Sequence, residues 1–392
     1  MINFEPNTIL TQDQLTAIRR ELHQIPELGL QEYKTAALVE ATLHSFGVTQ
    51  TKRYLETGIV ARIPAVNPHP DVPIIAFRAD MDALPVLETE NPYASRHTGR
   101  MHACGHDGHM TMALGLAKYL MHHRASLKND VVVLFQPAEE SPGGAQLMIE
   151  AGVLEDYHIS CIIGCHIFPE LAQGKIGCRS GAMMARNGEV DVKITGKSAH
   201  GAQPQLGADA LLATGAVISG LHSIISRNLS PLDNALLTFG RIQGGDACNI
   251  LAREVLLEGT MRAFRDSAYD TMAKRISLLA ENIAAGYGCH ADVTFRHMYR
   301  VVDNDASFTE ALATVAGDAY ETCPPFMLAE DFSMYQQHIP GLFFFLGSGN
   351  PEKGFVAPLH SADFDFDEAI LLCGVKTYVD LLSILTDTFI SR

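Results

Sequence analysis

The chain has 392 residues, 47% hydrophobic and 19% charged, a balance that supports sizeable cores and excludes a disordered, collagenous or disulfide-dense small protein. At about 150 residues per domain, that length suggests two or three domains. The formal net charge of −16 gives no footing for a phosphate backbone or an anionic surface, so neither nucleic acid nor membrane is expected as a partner. Thr11 predicts the cap of a helix over about 12–24, with Leu15, Ile18 and Leu22 on one face and Pro26 just beyond it. A second helix, over about 31–46, turns Ala36, Leu43 and Phe46 inward and stops at Gly47. Strand-like runs follow at 58–63 and 73–79, then a helix from about 107 to 123 and apolar strands at 131–135 and 161–166. Strands alternating with helices predict an α/β domain with a largely parallel, mixed sheet and helices on both faces.

From about Asn187 to Arg296 the pattern changes to strand, helix, two strands, helix and strand. That is the β-α-β-β-α-β order of a ferredoxin-like unit, and about 110 residues suffice for a separate core. The α/β pattern then resumes with helices near 305–320 and 365–388 and a buried strand over 341–347. We therefore expect a discontinuous domain, 1–186 with 297–392, interrupted by an inserted domain, 187–296. The eight cysteines are irregularly spaced with no C-x-x-C pair, and the N-terminus carries Glu5 and Asp13 where a signal peptide needs basic and then apolar residues. A cytoplasmic location with reduced thiols is the expectation.

The densest polar cluster is His102-Ala103-Cys104-Gly105-His106-Asp107-Gly108-His109, at the start of a predicted helix. Three histidines, a cysteine and an aspartate are all metal-ligand types, and the helix N-terminus favours a thiolate at Cys104. Taken singly, His102 and His109 read as hydrogen-bonding residues. Glu139 and Glu140, in Gln136-Pro137-Ala138-Glu139-Glu140, directly follow a buried strand, where open α/β sheets place their sites. There one carboxylate can bind a metal while its neighbour acts as a general base. His166 and His360 sit at strand or turn ends, and Asp80 and Asp82 follow another buried run, from which they can cap a turn or orient a ligand. Cys104, His106, Glu140, His166 and His360 make five possible ligands, too many for one zinc and suited to two ions with a bridging thiolate or water. Gly196-Lys197-Ser198 is no P-loop, because Asp191 stands where that motif needs glycine. No G-x-G-x-x-G follows a strand, and no G-x-S-x-G occurs.

These motifs, with Gly196-Lys197-Ser198-Ala199-His200-Gly201, resemble in order those of the dinuclear metal amidohydrolases that include hippurate hydrolase, N-acyl-amino-acid aminoacylases and auxin–amino acid conjugate hydrolases. The resemblance spans about residues 15–385. It implies a catalytic α/β domain with an inserted lid and two divalent ions per subunit, zinc or manganese, with cobalt or nickel also compatible. It implies Cys104, His106, Glu140, His166 and His360 as metal ligands and Glu139 as general base toward a metal-activated water. Asp82 would serve the same chemistry by orienting a ligand, His200 would stabilise the oxyanion, and Asn249 and Arg262 would lie near the substrate. The implied reaction is hydrolysis of the amide bond of an N-acyl amino acid. Deacetylation of N-acetyl-diaminopimelate, or a carboxypeptidase or dipeptidase reaction, is the alternative on the same site, and a metal-binding protein without catalysis is the alternative of another class. A homodimer through the lid is the expected assembly. Ala252, Leu328-Ala329 and Ala362 depart from the family pattern, sparing the ligands and altering the pocket.

Overall fold

The computed structural model describes residues 8–89 and 91–390. Residues 1–7, including the Glu5 used in reading the N-terminus, lie outside the described residues. In chain order the first elements are α1 (Gln12–His23), α2 (Tyr33–Ser45), β1 (Thr51–Tyr54), β2 (Gly58–Ile63), β3 (Ile74–Asp80), α3 (His106–His122) and β4 (Val131–Gln136). They continue with α4 (Gly144–Glu150), α5 (Val153–Tyr157), β5 (Ile159–Ala172), β6 (Ile176–Cys178) and β7 (Gly181–Met184). Next come β8 (Arg186–Thr195), α6 (Ala210–Asn228), β9 (Ala235–Gly244), β10 (Glu254–Ala263), α7 (Asp266–Gly286) and β11 (His290–His297). The chain ends with β12 (Val302–Asn304), α8 (Ala306–Ala316), β13 (Tyr320–Thr322), α9 (Ser333–Gln336), β14 (Gly341–Gly349) and α10 (Ile370–Ile390).

The chain divides into two compact units. The first comprises residues up to Gly181, Asp303–Pro324 and Asp331 onward; the second comprises Ala182–Val302 and Pro325–Glu330. The second unit is thus wider than the 187–296 expected from sequence. Its strand start is zipped to its strand end, with Tyr299 N donating to Asn187 Oδ1 at 2.9 Å and Met298 N to the Asn187 carbonyl at 3.2 Å. It also gathers Pro325–Glu330, because Phe326 N donates to the Met183 carbonyl and Ala185 N to that of Leu328, each at 2.8 Å.

The first unit is built on an eight-stranded mixed sheet in the order β1-β2-β4-β3-β5-β14-β6-β13. Its central strands β4, β3, β5 and β14 run parallel. Every residue of β4, and every residue of β14 but the last, is buried, so both sheet faces are covered. Helices α1, α3, α8 and α10 pack with one another, and α4, α5 and α9 form a second group. Asp80 pairs with Gln136 and Arg78 with Gly164, which aligns the ends of β3 and β4 with His166 in β5.

Two details of the N-terminal helices differ from the sequence expectation. The buried stripe of α1 holds Leu15, Arg19 and Leu22, while Ile18 is only half-buried, because Arg19 has buried acidic partners. Phe46 is half-buried at the end of α2, beneath the Lys118 ammonium, 5.3 Å from its ring centroid.

The second unit is a four-stranded antiparallel sheet, β11-β8-β10-β9, the ferredoxin-like order that the strand sequence predicts. Alternate residues Val190, Val192 and Ile194 of β8 face a core shared with α6 and α7. Charged residues occupy the intervening positions, where Arg296 bridges Asp191 and Glu189, and Lys193 pairs with Glu254. Among the described residues α6 alone is long and apolar enough to cross a membrane, with a mean hydropathy of 1.3. Its Ala210, Ala213, Val217, Leu221 and Ile224 form a stripe buried in this core.

Candidate metal centre

Beside the central strands β3, β4 and β5 the first unit brings together Cys104, His106, Glu140, His166 and His360, spread over more than 250 positions of chain. Cys104 precedes α3 and His106 opens it; between them Gly105 adopts φ +84°, a left-handed conformation that turns the chain into the helix. His166 projects from β5, and His360 lies in a loop whose backbone N–H donates to the Ala103 carbonyl at 2.8 Å. Donor atoms of Cys104, His106 and His166 lie mutually close, and so do those of Cys104, Glu140 and His360. Cys104 Sγ is common to both groups, 3.4 Å from His166 Nε2 and 3.3 Å from His360 Nε2. His360 Nε2 is also 3.2 Å from Glu140 Oε1.

Hydrogen bonding fixes the imidazole tautomers. His106 Nδ1 donates to the Asp82 carbonyl at 2.8 Å and His166 Nδ1 to the Ile167 carbonyl at 2.7 Å. With Nδ1 engaged in each ring, Nε2 is the nitrogen left to face a metal, as in a metal-ligating histidine. His106 Nε2 is buried without a hydrogen-bond partner. The charge balance agrees. Burial, then Glu140, Glu139 and Asp80, pushes the Cys104 thiol well above its usual value, outweighing the helix N-terminus that on sequence grounds would favour a thiolate. Burial alone would lower His106, yet Asp80 and Asp82 push it up to about 10. Surplus negative charge around soft and borderline donors suits divalent cations such as zinc, and the donor set fits.

The loop carrying Glu139 and Glu140 is held from three sides. Asp82 accepts the backbone N–H of Glu139 through Oδ1 and of Glu140 through Oδ2, both at 3.0 Å. Its carboxylate thus fixes the glutamate backbone, while its carbonyl orients His106. Buried Glu32 accepts the N–H of Ala138, whose φ is +57°, at 2.9 Å. Asp331 accepts from Ala145 N at 2.9 Å, Gln136 Nε2 at 2.7 Å and Arg78 at 2.7 Å. Gly144 is required where the loop enters α4, since a Cβ there would stand 1.8 Å from the Pro137 carbonyl oxygen.

Sequence reasoning did not assign roles to Glu32, Arg78, Gln136 or Asp331. Arg78 carried a usable signal, a charge inside an otherwise apolar strand. His102 is buried with both ring nitrogens unbonded, and burial lowers it to about 3, so it stays neutral.

His200, Asn249 and Arg262 lie in the second unit. His200 Nδ1 accepts the N–H of Ala202 at 3.0 Å, which places the ring proton on Nε2 and makes that atom a donor. The Asn249 carbonyl accepts the N–H of Gly201 at 2.7 Å, tying the two segments. Arg262, in β10, pairs with Asn187 and Leu236 across the sheet and donates to the Met327 carbonyl.

The chain is similar to known proteins over nearly its whole length. The chain is 38% identical over 379 residues to an IAA-amino acid hydrolase ILR1-like 4 of Arabidopsis thaliana, covering 94% of this chain and 85% of that one. It is 37% identical over 380 residues to an N-acetyldiaminopimelate deacetylase of Bacillus velezensis, covering 95% and 99%. The crystal structure of the Bacillus subtilis YXEP protein, described as a dinuclear metal binding peptidase, superposes with a TM-score of 0.83 at 34% identity, covering 96% and 99%. The sequence pattern of peptidase family M20/M25/M40 matches residues 76–384. With that match over most of its length and a donor set suited to two divalent ions, the chain belongs to peptidase family M20/M25/M40 and is a metal-dependent hydrolase of amide or peptide bonds.

Proposed function

We propose that the substrate is an N-acyl amino acid, cleaved at its amide bond to a carboxylate and a free amino acid. The observation that carries this reading is the pairing of Glu139 with Glu140 on a loop whose N–H groups are both held by Asp82. A metal-binding protein needs a ligand there but no second carboxylate on the same fixed backbone. Cys104, His106, Glu140, His166 and His360 would hold the two ions, zinc or manganese, with cobalt or nickel acceptable to the same donors. When bound, these ions supply Lewis acidity and a water acidic enough to attack near neutral pH.

The protein's own groups do the rest. Glu139 takes a proton from the attacking water and returns it to the departing amine nitrogen. His200 Nε2–H donates to the carbonyl oxygen as negative charge develops on it, a contribution of about 3–4 kcal/mol for one such donor. Arg262 and Asn249 bind the carboxylate end of the substrate, an arginine fork being suited to that group. His200 reaches the reacting carbonyl by closure of the inserted domain, or from the lid of a partner in a homodimer. We place the enzyme in the cytoplasm, where its thiols stay reduced.

Amine release from a panel of N-acyl amino acids, dipeptides and N-acetyl-diaminopimelate, before and after metal stripping and reconstitution, tests the reading. Chelator-sensitive release from N-acyl amino acids supports it. Preference for the diaminopimelate compound or for dipeptides moves the assignment to the matching reaction on the same site, and absence of release with every metal overturns it.

A further inference from the structure

Three groups near the centre, Asp80, His106 and His109, lie close enough to hold an ion of their own. The hydrogen bonds of His109 exclude that use. Its Nε2 accepts the backbone N–H of Ile167 at 2.8 Å, so the ring proton resides on Nδ1, which donates to Asp80 Oδ1 at 2.6 Å. With both ring nitrogens engaged, no lone pair remains for a metal.

His109 follows His106 by three residues, so both stand on one face of α3. Its acceptor bond grips the residue next to His166, and the carbonyl of that same Ile167 takes the Nδ1 proton of His166. Asp80, which anchors His109 from the other side, is itself held by Arg78 at 2.7 Å and faces His106 Nε2 at 3.7 Å. All of these side chains are buried. A ligand on a helix and a ligand on a strand are thus tied through one neutral ring.

We infer that His109 is a positioning residue: by accepting the Ile167 N–H it fixes His166 relative to Cys104 and His106, and so sets the affinity of the site those three ligands form. The inference rests on the dinuclear reading of the centre. Partners of this kind, one shell out from the ligands, typically change metal affinity by about 10- to 100-fold when lost.

The test compares His109→Gln, His109→Asn and His109→Leu in the full chain, using cobalt(II) as the probe. The measurements are ions bound per chain, competition affinity for each ion and the visible absorption of the bound cobalt. Glutamine carries its amide oxygen about where Nε2 lies and keeps an acceptor for Ile167, whereas asparagine reaches only Asp80. His109→Gln is expected to bind within about threefold of the parent chain, and His109→Asn and His109→Leu to lose about tenfold or more at one ion only, with altered absorption. Should His109→Leu fail to fold, the contrast between Gln and Asn carries the test. Equal affinities and spectra for Gln and Asn, or losses spread evenly over both ions, overturn the role of His109. A parent chain that binds fewer than two ions overturns the dinuclear reading instead.

Discussion

Glu139 and Glu32 sit on either side of one strained residue, Ala138, and they carry opposite demands. In the proposed reaction Glu139 must be ionised to take a proton. Glu139→Gln keeps the shape and removes the basicity, so turnover is expected to fall by about 10²- to 10⁴-fold while ions bound per chain stay at the parent value. Retained activity in that variant would show that the proton goes elsewhere. Glu32, by contrast, is buried, accepting from Ala138 N and from Thr57 Oγ1 at 2.8 Å. Burial raises its pKa from 4.5 to about 7, with the charge of Asp82 adding to the rise and its hydrogen bonds opposing it. A carboxyl whose folded value lies above its unfolded one keeps its proton in the folded state while the unfolded chain has lost it. The stability it contributes is therefore full below pH 4.5 and disappears as pH rises to about 7, a total of roughly 3 kcal/mol. Glutamine can accept from Ala138 and donate to Thr57 without ionising. Glu32→Gln is expected to flatten the fall in unfolding free energy between pH 5 and 8 and to be more stable than the parent at pH 8. Denaturant titrations at both pH values check this, and parallel slopes for the two proteins would remove Glu32 as the source.

At the scale of elements, α1 is fastened to the start of α3 and to the approach to α10 by one side chain. Arg19, fully buried, donates to Asp107 at 2.7 Å and to Asp365 at 2.9 Å, and lies 3.4 Å from Glu368. His23, one turn along α1, shares Asp107 at 2.7 Å and reaches Glu88 at 2.9 Å. Removing the guanidinium leaves the buried Asp107 carboxylate with His23 as its remaining side-chain partner, beside the proposed metal ligand His106. Arg19→Met is expected to cost about 3–5 kcal/mol of unfolding free energy, and Arg19→Lys to recover little of it, because one ammonium cannot serve three carboxylates in a fork. Urea denaturation of both variants measures the difference. This fastening also marks how far the sequence could be read. The apolar runs of β3, β4, β5 and β14 announce buried parallel strands, and the alternation in β8 announces a half-buried one. An arginine at position 19 reads as a solvent-facing charge until its partners, up to 349 residues away, are known. Strands of three or four residues, such as β1, β6 and β13, are too short to show any period. The metal-ligand residue types at the proposed ligands Cys104, His106 and Glu140 were legible from their local clusters. The struts Glu32 and Asp331 were not, because their contacts with the glutamate loop span 106 and 186 residues.

For the whole molecule, every proposed metal ligand belongs to the first unit, whereas the second unit has its own apolar core formed by β8–β11, α6 and α7. Metal should therefore stabilise the two units unequally. Each ion bound only by the folded state adds about 2.7 kcal/mol when its free concentration is a hundredfold above its Kd. For a unit of this size that corresponds to a rise of about 5 °C in melting temperature. The cause is local: buried Cys104 stands among Glu139, Glu140 and Asp80, whose negative charge divalent cations would offset. Stripping the ions should lower the melting temperature of the first unit and speed amide hydrogen exchange in β3, β5 and the start of α3. Exchange in β8 and β10 should remain as it was, since their protection comes from Val190, Val192, Val255 and Leu257 packed on α6 and α7. Exchange measured peptide by peptide, with and without chelator, separates the cases. Uniform acceleration across both units would mean that the centre stabilises the chain as one cooperative body. No change in either would mean that the site binds metal too weakly to matter for folding.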